Sequence, residues 1–412
     1  MTSLTESTKV FAKIGCLSFG GPAAQIALMH RELVDQKGWL SEKQFLSGLS
    51  FCMLLPGPEA MQLATYAGWR LHGVRGGLMA GLLFVLPGAF VIAALATIYV
   101  LFGSVPLVET LFLGIKAAVF AIVLEALVKV AKRAFKGALH WGLALASFIA
   151  LFAFDLPFPL VIGVAAMIGF FTTQDQSKTT PPAVPLTKTL TTIAVWLVIW
   201  WGPVAILAMA TGDNFLPQLA VFFSKLAAVT FGGAYAVLAY MGQEVVQNFG
   251  WLTTEQMIDG LGLAETTPGP LILVTEFVGF IAGYNEGGFG TALAAALITL
   301  WVTFVPCFLW IFAGAPYIEW ISDQPKLSGA LSAITAAVVG VIANLSIWFG
   351  LHVLFGTVTK TNFGWVPDAT TLNVSALGLS IFCAYLLLRL HLNIFYVLLW
   401  AAGLAWVLSL WV

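Results

Sequence analysis

Phe19-Gly20-Gly21-Pro22, then Gly38-Trp39-Leu40, then Pro56-Gly57-Pro58: these motifs return as Phe231-Gly232-Gly233-Ala234, Gly250-Trp251-Leu252 and Pro268-Gly269-Pro270. The offset is 212 at each, without a gap. Between Lys13–Pro58 and Lys225–Pro270, 18 of 46 positions are identical, including Lys13/Lys225, Glu32/Glu244 and Gln44/Gln256. Apolar matches alone would carry little weight in so hydrophobic a chain. Matched charges, tryptophans and glycine–proline motifs at one spacing mark an internal duplication.

The 412 residues are 60% hydrophobic and 9% charged, against about 25% charged in an average soluble chain. Mean hydropathy is +0.96. Apolar segments of bilayer-crossing length recur throughout, so the chain reads as an all-α polytopic membrane protein. A net charge of −1 offers no basic field for nucleic acid. The first ten residues are polar and too short for a cleaved signal peptide. Cys16, Cys52, Cys307 and Cys383 are scattered in apolar surroundings, and Cys16 and Cys52 align with Ala228 and Ala264. They read as small core residues, with neither a disulfide framework nor a metal site. No cofactor is expected.

Thirteen apolar segments are separated by one long polar break, Thr172 to Lys188, which contains Pro181-Pro182. The expected organisation is an N-terminal repeat over 1–172, a linker and connecting helix over 173–215, and a C-terminal repeat over 216–412. An odd number of segments separates Lys13 from Lys225, so the second copy enters the membrane from the opposite face, as in inverted-repeat transporters. Charge agrees. The connection 31–44 carries Arg31, Lys37 and Lys43, whereas 243–256 carries no Lys or Arg. Arg70 and Arg75 have no basic counterpart near 283–287. Loops rich in Lys and Arg stay inside.

If 11–30 and 45–71 both spanned the membrane, the basic loop 31–44 would fall outside. Re-entrant hairpins broken at Gly20-Gly21 and Pro56-Gly57-Pro58 remove the conflict and place the N-terminus in the cytoplasm. The favoured count is nine spans plus four hairpins; the alternative is thirteen spans.

Proline removes a backbone donor and glycine tolerates unusual dihedrals. Breaks at membrane depth leave helix N-termini with free N–H groups and a positive dipole end, which suit an anion. The candidate anion-binding residues are therefore Phe19, Gly20, Gly21, Pro56, Gly57, Pro58, Phe231, Gly232, Gly233, Pro268, Gly269 and Pro270. Lys13 and Lys225, six residues before each FGG, would neutralise a dianion; the alternative is interfacial snorkelling. Both are expected to abolish transport, but not membrane insertion, when changed to Ala. Ser18 and Thr230 could donate hydroxyls to an oxyanion or bond back to the preceding turn. Glu59 and Glu265, at non-equivalent positions beside the PGP motifs, are coupling candidates. Glu276, Glu125 and Lys116 also lie in apolar runs. Glu32 and Glu244 read as structural partners in a matched interfacial element with Gly-Trp-Leu. No HExxH, GxSxG or Walker A pattern occurs, so no enzyme and no primary pump is expected.

With these residues assembled, FGGP at Phe19–Pro22, Glu32 with Gly38-Trp39-Leu40, Leu54-Leu55-Pro56-Gly57-Pro58 and the second FGG, GWL and TPGP series resemble the chromate ion transporter family in its long, two-domain form. The resemblance covers nearly the whole chain. It implies a secondary transporter exporting chromate across the inner membrane and giving chromate resistance, with sulfate as a competing tetrahedral dianion. The expected partners are chromate, sulfate and membrane lipid, with homodimerisation left open. The alternative is a transporter for sulfate or another oxyanion, with chromate incidental. The second copy departs at Ala234, where the first has Pro22, and at Thr266-Thr267, where the first has Leu54-Leu55. The two halves are thus not interchangeable.

Overall fold

A computed structural model describes residues 2–103, 105–174, 185–210, 214–231, 234–361 and 364–410. Its helices are α1 (Leu4–Leu17), α2 (Gly21–His30), α3 (Glu42–Leu54), α4 (Glu59–Phe102), α5 (Pro106–Ala134), α6 (Ala138–Phe152), α7 (Phe158–Thr172), α8 (Leu186–Ala210), α9 (Phe215–Val229), α10 (Ala234–Gln243), α11 (Thr254–Glu265), α12 (Val274–Gly314), α13 (Ile318–Ser322), α14 (Pro325–Leu354), α15 (Val374–Leu388) and α16 (Ile394–Ser409). Five of these, α4, α5, α8, α12 and α14, are long and apolar enough to cross a membrane, and five more are apolar but shorter. The protein is an all-α polytopic membrane protein. One departure from a purely helical reading is a small antiparallel ribbon, β1 (Val358–Thr361) and β2 (Gly364–Pro367). Of the expected linker, 175–184 lies outside the described residues.

The duplicated stretch folds the same way twice. α2 runs into a π-helical turn, Arg31–Gln36, and α10 into another, Glu244–Asn248. Each is closed by a left-handed glycine, Gly38 at φ 59° and Gly250 at φ 63°. The N–H groups of Trp39 and Leu40 then donate to the Leu33 carbonyl, and those of Trp251 and Leu252 to the Val245 carbonyl. This geometry explains the repeated Gly-Trp-Leu. The matched Gln44 and Gln256 complete capping boxes with Ser41 and Thr253 at the starts of α3 and α11.

The first copy consists of two helical hairpins. Lys13 pairs with Glu32 at 2.7 Å and Lys37 with Glu6 at 2.8 Å. Both pairs are centred on Gly21-Pro22, so α1 and the α2–π segment run back to back from the Gly-Gly tip. Along one straight helix, residues 19 apart would lie about 28 Å apart. Likewise a Cβ on Gly48 would strike the Tyr66 ring. These residues flank Gly57 at equal separation, so α3 and the first arm of α4 are antiparallel around the PGP tip. α4 then turns back on itself at His72-Gly73, where φ of Gly73 is 62°. The close approach of Gly68 to Gly76 and Ala80 fixes that pairing. α12 does the same at Gly287-Gly288 (φ 74° at Gly288), with Gly283 against Thr291 and Ala295. Small residues let the backbones of each pair approach closely.

The chain divides into two compact units that cut across the sequence copies. Unit 1 comprises 1–96, 174–234 and 267–328; unit 2 comprises 97–173, 235–266 and 329–412. In unit 1, α12 packs against α8 and α9. In unit 2, α5 packs against α11, α15 and α16, with Gly114 seated on the Ala401 carbonyl.

Candidate functional site: a pocket at the crossed motif breaks

Within unit 1 the helix breaks of the two copies close on each other. The N–H of Gly57 donates to the Thr230 carbonyl at 2.8 Å, and the N–H of Gly269 donates to the Ser18 carbonyl at 2.8 Å. Both bonds relate equivalent positions: the FGG break of one copy accepts from the PGP loop of the other. Gly57 (φ 115°) and Gly269 (φ 88°) occupy backbone conformations that L side chains avoid. Gln25, 1% exposed, adds a third link, its Nε2 donating to the Gly269 carbonyl at 2.7 Å and the Ser18 carbonyl at 3.2 Å. Gln62 Nε2 donates to the Pro56 carbonyl at 2.6 Å and steadies the first PGP loop.

Around these bonds lies a small cavity of about 20 Å³, little more than the space of a water molecule. Pro22 and Gln25 line it from the start of α2, Glu59 and Ala60 from α4, Ala234 from α10, and Pro270, Leu271 and Ile272 from the 3₁₀ turn leading into α12. Four helical starts thus converge on one small volume. Gly20, the N-cap of α2, is left-handed and gives no side-chain cap. Helix N-termini bring N–H groups and positive dipole ends to this wall, and Glu59 sets a carboxylate beside them. The pocket wall is otherwise apolar, apart from Gln25, Glu59 and Thr230.

Of the sequence candidates, Gly57, Pro58, Thr230, Pro270 and Glu59 line the pocket. Pro56, Pro268, Gly269 and Ser18 build the loops behind it, and Gly88 of α4 packs directly on the Pro268 carbonyl. Gly20 and Gly21 form the tip, both with positive φ; Phe19 is 43% exposed beside them. Phe231 begins the equivalent break, and Gly232 and Gly233 lie outside the described residues. The hydroxyls of Ser18 and Thr230 both bond back to the carbonyls of Ile14 and Leu226, at 2.6 Å each. That is the second of the two roles the sequence left open. Lys13 does not line the pocket; its ammonium is held by Glu32, whose side chain is 3% exposed. Lys225 is exposed on α9 and forms no ion pair among the described residues. Glu265 belongs to unit 2, where it accepts from the Tyr235 hydroxyl at 2.9 Å. The two coupling candidates are therefore divided between the units.

Gln25, Gln62 and Ile272 were not singled out by sequence. The glutamines carried a readable signal, an amide inside a membrane-depth apolar run. Ile272 carried none.

A family model described as chromate transporter matches residues 5–170 and 217–406. A probable chromate transport protein of Synechococcus elongatus is 31% identical over 84% of this chain and 85% of its own length. A chromate transport protein of Pseudomonas aeruginosa is 31% identical over 96% of this chain and 90% of its own. An uncharacterised transporter of Methanocaldococcus jannaschii is 28% identical over 83% of each chain. No solved structure matches. Two separate matched blocks, one on each side of the linker, fit the duplication read from the motifs, and the chain belongs to the chromate transporter family.

Proposed function

We propose that the protein is a secondary transporter that exports chromate across the inner membrane and thereby confers chromate resistance. The observation that carries the reading is the convergence of four helical starts on one pocket, since backbone N–H groups and dipole ends recognise a tetrahedral oxyanion by charge and shape. The family and the names of its relatives supply chromate. In this reading the helical hairpins are re-entrant, the copies are inverted, and alternating access moves the pocket between the two faces. Export of a dianion from a negative-inside cell is favoured by about 2.3 kcal/mol per charge per 100 mV. The potential, ion exchange or both can drive it. Lys225 contributes positive field from α9, whereas Lys13 acts through Glu32. Glu59 faces the pocket and opposes too tight a hold on the anion.

A sulfate transporter is the second reading, because N–H dipoles do not separate two dianions of equal charge and shape. The test is chromate accumulation in cells with and without the protein, together with vesicle flux under sulfate competition. Expression should lower accumulation. Gly57→Ala and Gly269→Ala should each reduce flux at least tenfold, since a left-handed alanine costs about 1–2 kcal/mol and a Cβ on Gly57 would lie 2.8 Å from Gln62 Nε2. Equal accumulation with and without the protein overturns export. Sulfate flux that chromate cannot inhibit overturns chromate as substrate.

A further inference from the structure

Glu276, near the start of α12, is 2% exposed, and its Oε2 is sealed from solvent with no hydrogen bond among the described residues. An ionised carboxylate in that setting is strongly disfavoured, and one retained at membrane depth marks a function.

The fold does not require it. The turns of the α4 and α12 hairpins lie 215 residues apart, not 212, because the 3₁₀ turn Leu271–Leu273 inserts three residues after the second PGP. In that register Gly68, Gly76 and Ala80 correspond to Gly283, Thr291 and Ala295, which make the same contacts. Glu276 then corresponds to Met61, which is fully buried. One hairpin accepts a thioether where the other holds a carboxylate.

The carboxylate also stands next to the pocket. Ile272 lines the pocket, and Glu276 follows four residues on, about one turn deeper. Thr275 Oγ1 donates to the Ile272 carbonyl at 2.8 Å and lies 3.5 Å from Thr303 Oγ1. Gly279, three residues past Glu276, faces Thr299, whose hydroxyl is also buried without a partner. Thr275, Glu276, Thr299 and Thr303 are each at most 2% exposed and make a polar seam from the pocket wall into the hairpin. Their counterparts in α4 are Ala60, Met61, Phe84 and Gly88, all without polar side chains.

We propose that Glu276 is a proton-carrying group that couples oxyanion movement to proton flux, reached from the pocket along Thr275, Thr299 and Thr303. This rests on the oxyanion reading of the pocket. Burial already favours the neutral acid in the empty pocket, and a dianion arriving one turn away favours it further. At alkaline pH, where part of Glu276 is ionised, it therefore takes a proton as the anion binds, COO⁻ plus H⁺ giving COOH. It returns the proton when the anion leaves. The ionisable groups on the elements packed against α12 are Lys188 of α8, Lys225 of α9, Glu42, Lys43 and Cys52 of α3, Tyr317 of the 3₁₀ turn after α12, and Glu59, Tyr66, Arg70, His72, Arg75 and Tyr99 of α4, with Cys307, Tyr284 and Glu286 on α12 itself. None pairs with Glu276 among the described residues.

The test is calorimetric titration of the purified full chain with sulfate and with chromate, in buffers of different ionisation enthalpy. In alkaline buffer wild type should take up a proton, at most one per anion bound, and the uptake should shrink toward neutral pH. Glu276→Gln and Glu276→Met should bind anion but take up none, and their flux in proteoliposomes should lose its response to a pH gradient. Methionine is the residue α4 already carries at this place, so the second variant guards against misfolding. Anion binding by wild type in alkaline buffer without proton uptake, or uptake retained there in the variants, overturns the role of Glu276 alone. A folded wild type that binds neither anion overturns the oxyanion reading as well.

Discussion

Lys13 has its charge committed. Its ammonium, half-exposed, sits 2.7 Å from a Glu32 carboxylate that is almost wholly buried, with Arg31 farther away at 3.9 Å. Removing Lys13 leaves a buried acceptor poorly compensated, at a cost of about 1–3 kcal/mol. Lys13→Met should therefore lower the melting temperature, and Lys13→Met with Glu32→Gln should restore both stability and transport. If the double variant regains stability but stays inactive, the lysine serves the substrate directly. The sequence showed that Lys13 and Glu32 each recur, but not that they meet. Their pairing depends on the chain reversing between them, and a sequence spacing of 19 does not reveal a reversal. Ser18 and Thr230 were ambiguous for a similar reason: a hydroxyl beside a helix break can face either way, and both face the preceding turn.

At the scale of elements, the helix breaks were legible because proline and glycine act locally. The capping boxes and the glycine turns after each π segment follow from the same local chemistry. The three-residue insertion before α12 was not legible, because Leu271-Ile272-Leu273 is as apolar as the helix it precedes. Nor was the β1–β2 ribbon. Beyond the candidate spans, the end of α2 is tied to the start of α3 by His30, whose Nε2 lies 2.7 Å from Glu42 Oε2 and whose Nδ1 lies 3.4 Å from Asp35 Oδ2. The hydrogen bond to Glu42 raises the imidazole pKa above its ordinary value, with burial opposing and the two carboxylate charges assisting. A raised folded-state pKa means the stabilisation is complete below the unfolded value of about 6.5 and is lost as pH rises through the folded value. Melting curves of wild type and His30→Gln should accordingly differ at pH 5.5 and converge toward pH 9. A constant difference across that range would remove the ion pairs as the cause.

Across the whole molecule, the duplication foretold matched elements but not the partition into units, each of which draws on both copies. That partition arises from long-range packing of α5 and α12, which motif spacing does not encode. Inversion of the copies makes a prediction at this scale. In a background freed of Cys16, Cys52, Cys307 and Cys383, a cysteine at Lys37 and one at Phe249 should react with an impermeant maleimide from opposite faces of the membrane. Labelling of both from one face would leave the duplication standing and remove the inversion.

The crossed hydrogen bonds have a consequence for how such a chain can be divided. Gly57 donates its N–H to residue 230 and Gly269 to residue 18, so each proline–glycine loop is finished by chain from the far side of the linker. A single copy translated alone would carry a loop with no acceptor and a break with no donor. It owns half of every wall and the whole of none. The smallest heritable unit of this site is therefore a pair, and either copy can drift in sequence only as far as the other continues to fit it.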